Sequence, residues 1–353
     1  RLAPFVCALR LDKTGALYLS CPYDSMATAI TIQDVWTRHR EDLRRVEEQM
    51  TGFLSTRVPL IGQVGGYILQ GGGKRLRPLL VVLSARLCGY NGPAAVLLGS
   101  VVEFIHTASL LHDDVVDEAS VRRGRAVAHT IWGNPASILV GDYLYSKALL
   151  LAVGLKNQRV MDTLAEATTT MSEGEVMELL RVADLGLSEE DYFKIVDAKT
   201  AALISASCRL GAILGGADGA QEEALAAFGR KIGLAFQLAD DVLDYMADSE
   251  KFGKALGKDI MEGKVTLPLI HLVARSSPEE TAAVKALFDD PDSAQGRLSS
   301  VGTLMRRHGS MDYVLEKARR SVAEAKDALA VFPPSENRES LSAVAEYVIG
   351  RDW

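Results

Sequence analysis

With 353 residues, 48% of them hydrophobic, the chain can bury a large core, and its net charge of −7 argues against a general nucleic-acid binder. Its four cysteines (Cys7, Cys21, Cys88, Cys208) stand far apart with no Cys-x-x-Cys pair, so neither a zinc site nor a disulfide framework is indicated and a reducing, cytoplasmic setting fits. No apolar run approaches the roughly 20 residues needed to span a bilayer, so no transmembrane segment is expected.

Residues Arg1 to Ser25 lack signal-peptide order and an initiating Met, whereas Met26-Ala27-Thr28 reads as a chain start. They are expected to stand outside a domain covering 26–353. From Ile32 onward apolar residues recur at helical spacing, and no stretch alternates as a strand would. The spacing predicts helices over 32–55, 59–70, 78–89, 93–117, 136–154, 158–182, 189–216, 219–247, 264–276, 279–288, 295–308, 311–331 and 336–350. Punctuation supports these boundaries. Ser188-Glu189-Glu190-Asp191 resembles a capping box, and Ser277-Pro278-Glu279-Glu280 joins a cap residue to Pro at the first helical position. The expected fold is all-α, with about 12–14 helices. Segments 93–117 and 219–247 are apolar nearly all round and should be central.

Those two segments carry the most informative pattern, Asp113-Asp114-Val115-Val116-Asp117 and Asp240-Asp241-Val242-Leu243-Asp244. On a helix each triplet projects its carboxylates into one patch that repels itself unless cations arrive. Oxygen donors without His or Cys suit Mg²⁺, which usually completes its shell with water and substrate phosphates. One such triplet is more often a solvated helix face. Two, each accompanied by cationic sequence, favour a site.

The cationic companions are each open to a second reading. Gly71-Gly72-Gly73-Lys74-Arg75-Leu76-Arg77-Pro78 can grip a diphosphate or be a flexible charged loop. Arg122-Arg123-Gly124 can neutralise phosphates or be a basic turn. Lys199-Thr200 lies in an Ala- and Leu-rich helix, where an ammonium needs an anion or must snorkel. Lys254, Lys258 and Lys264 sit among glycines, as in an anion-binding lid or a solvated loop. His106, two turns before Asp113, is ordinarily a satisfied core histidine.

Together these residues resemble the trans (all-E) polyprenyl diphosphate synthases of the long-chain type, from about Met26 to the C-terminus. The marks that carry the resemblance are Gly72 to Pro78, Glu103 to Asp114, Arg122-Arg123-Gly124, Gly141-Asp142-Tyr143, Lys199-Thr200, Phe236 to Asp241 and Gly263 to Pro268. The resemblance implies mostly antiparallel helices around a deep central cavity, as a homodimer. It implies an allylic diphosphate such as farnesyl diphosphate held through about three Mg²⁺ ions by Asp113, Asp117, Asp240 and, less directly, Asp114, Asp241 and Asp244. Arg122, Lys199 and Lys254 would contact the diphosphate, and Thr200, Gln237 and Lys264 would complete that substrate site. Isopentenyl diphosphate would take Lys74, Arg77, His106 and Arg123. Glu178 departs from the family pattern, in which many relatives carry Gln.

In such enzymes the side chains below the first triplet set product length. Ala108 and Ser109, five and four residues before Asp113, are small, so the tail should pass deeper, toward Phe104, Ile105 and Val101 and a facing helix within Tyr145 to Val153. With one helical turn of about 5.4 Å per isoprene unit, a product of roughly C35 to C45 is expected, with C40 the best guess. Small residues are also common in tightly packed helices. A short-chain farnesyl or geranylgeranyl synthase is the main alternative. A terpene cyclase or an inactive partner subunit fits less well, because both triplets and the basic residues are intact. An apolar product also suggests peripheral membrane contact at its release.

Overall fold

A computed structural model describes residues 8–11, 17–20, 30–246, 258–289 and 291–350. Thr31 opens the first helix with a capping box: its hydroxyl accepts from the Asp34 N–H, and the Asp34 carboxylate accepts from the Thr31 N–H. The segment expected as one helix over 32–55 breaks at His39 into α1 (Ile32–Arg38) and α2 (Arg40–Phe53). The His39 ring is buried there between Asp42 and Arg86. Then come α3 (Pro59–Gln70), α4 (Leu76–Leu87) and α5 (Ala94–Val116).

After α5 the chain turns through a small antiparallel pair, β3 (Val121–Arg122) with β4 (Arg125–Ala126), the first pair being β1 (Ala8–Leu11) with β2 (Leu17–Ser20). Neither pair was expected from the periodicity, because two- and four-residue strands are too short to display alternation. Arg123 and Gly124, at φ 52° and 72°, form the tip between β3 and β4.

The helices then run α6 (Ala128–Trp132), α7 (Asn134–Val153), α8 (Gln158–Leu179), α9 (Glu189–Val196), α10 (Ala202–Leu214) and α11 (Gly219–Met246). They continue as α12 (Lys258–Met261), α13 (Leu267–Val273), α14 (Pro278–Asp289), α15 (Pro291–Arg307), α16 (Ser310–Ala328) and α17 (Glu336–Ile349). The short α6 and α12 escaped the sequence pattern. The predicted helix over 189–216 is interrupted by a π-turn, Asp197–Ala201, between α9 and α10.

Helix α5 is central: Leu98, Val101, Val102, Phe104, Ile105, Ala108 and Leu111 are all sealed in its packing against α2, α4, α7 and α10. Each fully buried Leu or Phe contributes on the order of 1.5–3 kcal/mol. Helix α11 buries Leu225, Phe228, Ile232, Leu238 and Val242 against α10 and α16. Contrary to the expectation of no sufficiently long apolar run, α5 (23 residues, mean hydropathy 1.7) and α7 (20 residues, 1.4) have the length and composition of bilayer-spanning helices. Isolated polar residues such as Glu103 had masked this. The apolar window of α5 is 72% buried inside the fold, that of α7 only 33%. The first acidic triplet falls at the C-terminal end of α5, where the helix dipole adds partial negative charge, and the second lies in the last described turns of α11. Cations are therefore required twice over.

Candidate active site

Within each triplet the structure assigns different work to the three carboxylates. The middle residues, Asp114 and Asp241, are each only 1% exposed and already hold protein donors. Asp114 accepts from Arg122 Nε at 2.7 Å. Asp241 accepts from Gln237 Nε2 at 2.8 Å and from the Tyr192 hydroxyl. Asp113 is pushed up to about 7 by burial and by the charge of Glu175 on α8. Asp117 caps α5 and accepts from Lys264 Nζ at 2.8 Å. On α11, Asp240 acts electrostatically on Arg77, and Asp244 accepts the backbone N–H of Asp259 at 3.1 Å.

Asp259, a seventh carboxylate that sequence reading passed over within Gly-Lys-Asp, is driven well above its usual range by burial and by Asp244 and Asp241. The short segment Asp259 to Lys264 therefore touches the last Asp of both triplets. Gly263 makes this possible: it turns at φ 75°, and its carbonyl accepts from the Ala183 N–H at 2.8 Å.

The cations are brought in from three elements. Lys199, on the π-turn, lies 2.7 Å from Glu175 and 2.5 Å from Glu178. Burial opposes its charge, but Glu178, Glu175 and Asp113 outweigh burial and keep it protonated. Lys264 is protonated for the same reason, through Glu178, Asp117 and Glu262. Thr200 donates to Gln237 Oε1 at 3.0 Å. A π-turn inserts one residue into the helical phase and is often found at functional sites. Gly174 on α8 permits the approach: a Cβ there would lie 2.8 Å from the Lys199 backbone nitrogen and 2.9 Å from Ala198 Cβ. Glu178, Lys199, Thr200, Gln237, Asp241, Asp259 and Lys264 line one cavity of about 130 Å³. Lys254 lies outside the described residues.

A second, basic pocket forms where α4 begins beside α5. Arg75 at φ 48° turns inward to Glu103 (2.9 Å), Glu47 (3.1 Å) and the Leu69 carbonyl, so it is a structural cation. Arg77 follows it on α4, and its buried Nε has no hydrogen-bond partner among the described residues. Burial and Arg123 lower its affinity for its proton. His106 is held far below its usual pKa by burial and by Arg77, Arg123, Arg122 and Arg75, so its ring is neutral. Arg123 reaches the Gly72 carbonyl. Lys74 pairs with the Tyr347 hydroxyl and lies 4.7 Å from that ring, a contact with the C-terminal helix that no sequence motif signalled. Such crowded cations, with a buried unpaired donor, are built for an anion.

Below the triplets, Phe104, Ile105 and Ala108 are packed into the core, and Ser109 is partly exposed, its hydroxyl bonded to the His106 carbonyl. An open cavity of about 670 Å³ lies between α7 and α8, lined by Tyr145, Thr168, Thr169, Ser172, Glu173, Val176 and Met177. Its lining along α8 runs from Thr168 to Met177, on either side of Glu175 in the sequence.

The donor set fits Mg²⁺. Among the described residues no three His, Cys, Asp or Glu side chains converge into a closed metal cluster. The triplets instead offer carboxylate oxygens on two helices, α5 and α11, and oxygen donors of this kind suit an ion that draws the rest of its shell from water and phosphate. The raised pKa of Asp113 marks a charge that such an ion would relieve.

Fold and site together define an enzyme of diphosphate chemistry, and residues 58–305 match the polyprenyl synthetase family, to which the chain belongs as a prenyltransferase. It is 40% identical to the octaprenyl diphosphate synthase of Haemophilus influenzae over 324 residues, 92% of this chain and 98% of that one. The polyprenyl synthase of Caulobacter crescentus CB15, solved with calcium and isoprenyl diphosphate, superposes with a TM-score of 0.87 at 39% identity, covering 92% of this chain and 99% of its own. A decaprenyl diphosphate synthase from Rhodobacter capsulatus gives 0.85 at 40% identity over 90% and 98% of the two chains.

Proposed function

We propose that this prenyltransferase condenses an allylic diphosphate, farnesyl diphosphate in the first instance, with successive isopentenyl diphosphates to an all-E polyprenyl diphosphate of about C40. The observation that carries the reading is the pairing of two anion sites. One is the cavity where Lys199 and Lys264 stand beside Asp241 of the second triplet, Lys264 also pairing with Asp117 of the first, and the other is the cluster of Arg77, His106 and Arg123, in which Arg77 Nε has no partner among the described residues.

Asp113, Asp117, Asp240 and Asp244 would hold about three Mg²⁺ ions, Asp114 and Asp241 acting through their neighbours. Bound Mg²⁺ supplies positive charge to the leaving diphosphate. Arg122, Lys199 and Lys264 add fixed charge at the same oxygens, so the allylic C–O bond breaks heterolytically and leaves a delocalised carbocation. Thr200 and Gln237 flank that cation. Lys74, Arg77, His106 and Arg123 hold isopentenyl diphosphate so that its double bond attacks the cation. A proton then leaves to the departing diphosphate, and the new allylic diphosphate is five carbons longer. The apolar tail would descend past Ser109 into the groove between α7 and α8, where Tyr145 and Met177 stand.

The reading includes a homodimer in a cytoplasmic setting. Its support is the face of α7, where Leu139 and Leu150 are 66% and 65% exposed beside Ile138 and Val153; an apolar patch of this kind is normally covered by a partner. Peripheral contact with a membrane would receive the product.

Purified protein with Mg²⁺, farnesyl diphosphate and isopentenyl diphosphate is expected to release diphosphate and give one dominant long product on chromatography of the dephosphorylated lipid. No consumption of isopentenyl diphosphate sinks the reading, and an endpoint at C15 or C20 rejects the long-chain part. Ala108→Phe is expected to shorten the product while turnover persists. An unchanged length would mean that Ala108 lies outside the tail path.

A further inference from the structure

Tyr192, on α9, belongs to none of the motifs and has no role in the chemistry above. It is 4% exposed, and its hydroxyl donates to Asp241 Oδ2. The Tyr192 hydroxyl occupies that oxygen, and the other, Oδ1, accepts from the NH₂ of Gln237 at 2.8 Å. With its NH₂ committed, Gln237 must turn its carbonyl to the Thr200 hydroxyl, 3.0 Å away. One unbroken chain of donors and acceptors thus runs from α9 through the second acidic wall on α11 to the π-turn that carries Lys199. Every link borders the same cavity. A flipped Gln237 would set its carbonyl against the Asp241 carboxylate, and only a fixed carboxylate forbids that flip.

We propose that Tyr192 is a positioning residue for prenyl transfer: through Asp241 its hydroxyl fixes the orientation of Gln237 and Thr200 and the rotamer of the second acidic wall. The proposal rests on the reading of this cavity as the allylic diphosphate site. Tyr192→Phe removes one hydroxyl and keeps the ring, which packs edge-on to Phe193 at 5.4 Å. The variant should therefore still fold, with a thermal midpoint lowered by no more than the loss of one buried hydrogen bond to Asp241.

In steady-state assays, Tyr192→Phe should raise KM for the allylic diphosphate about 10-fold, the cost typical of losing an outer hydrogen-bond partner of a metal-dependent site, while KM for isopentenyl diphosphate holds. The Mg²⁺ concentration giving half-maximal thermal stabilisation in inorganic diphosphate should rise similarly. Tyr192→Phe added to Gln237→Leu should cost less than Tyr192→Phe alone, since the arm of the relay through Gln237 is already cut and only the hold on the Asp241 rotamer is left to lose. An unchanged allylic KM and Mg²⁺ midpoint, or an equal rise in both KM values, would overturn the proposal. Wild-type protein that consumes no isopentenyl diphosphate would refute the functional reading instead, and the Mg²⁺ midpoints of the two proteins would still decide the role of Tyr192.

Discussion

Asp113→Asn is expected to lower turnover by about 10²–10³-fold, the range found when one electrostatic stabiliser of a developing charge is removed. The substitution keeps the shape of the side chain and removes its charge. Asp113 is buried beside Glu175 at the C-terminal end of α5, and its pKa is already raised to about 7, so the folded chain carries this carboxylate at a cost. The same variant should consequently melt no lower than wild type in metal-free buffer at about pH 8, where the wild-type group is ionised. Loss of activity with retained or raised thermal stability separates a ligand from a structural residue. Asp114→Asn should behave in the opposite way, because Asp114 anchors Arg122 at 2.7 Å and its change leaves a cation unpaired. Paired measurements of kcat and Tm on the two variants check this, and similar melting losses in both would contradict it.

The second large effect concerns pH and Mg²⁺ together. Asp113 and Asp241 both titrate near 7 in the fold, chiefly through burial, against 3.8 for an unperturbed Asp. Between those values the folded chain binds protons that the unfolded chain has released. Stability from these groups is therefore full below about pH 4 and is lost as pH rises toward 7. Mg²⁺ competes with the same protons. Its stabilisation of the protein, read as the Tm shift in Mg²⁺ with inorganic diphosphate, should be small near pH 5.5 and largest above about pH 7. A shift that stays constant across that range would place the ion elsewhere.

Much of the fold was legible because its signal is periodic. The predicted segments 59–70, 158–182 and 219–247 coincide with α3, α8 and α11 to within a few residues, since long amphipathic or apolar runs leave few other ways to bury their surface. The break at His39 was not legible, because it depends on a buried ring meeting Arg86 from another helix. The site was legible where charge is out of place, as with two Asp triplets in apolar helices. Tyr192, Tyr347 and Asp259 were invisible for the converse reason: an aromatic on an amphipathic helix and an acid in a charged loop look ordinary until tertiary contacts give them partners. The division within each triplet was equally hidden, since three identical residues on one helix differ only in what surrounds them.

Gly174 gives the site its smallest working dimension. Where α8 meets the π-turn, the backbones come so close that even a methyl group on Gly174 would collide with the Lys199 backbone nitrogen and Ala198. The side chain that meets it is the Ala198 methyl, which has no rotamer to change and so cannot absorb a displacement. The seam acts as a shim: its thickness sets how far Lys199 stands from Glu175 and Glu178, so the placement of one charge in the active centre is gauged by a residue that carries none.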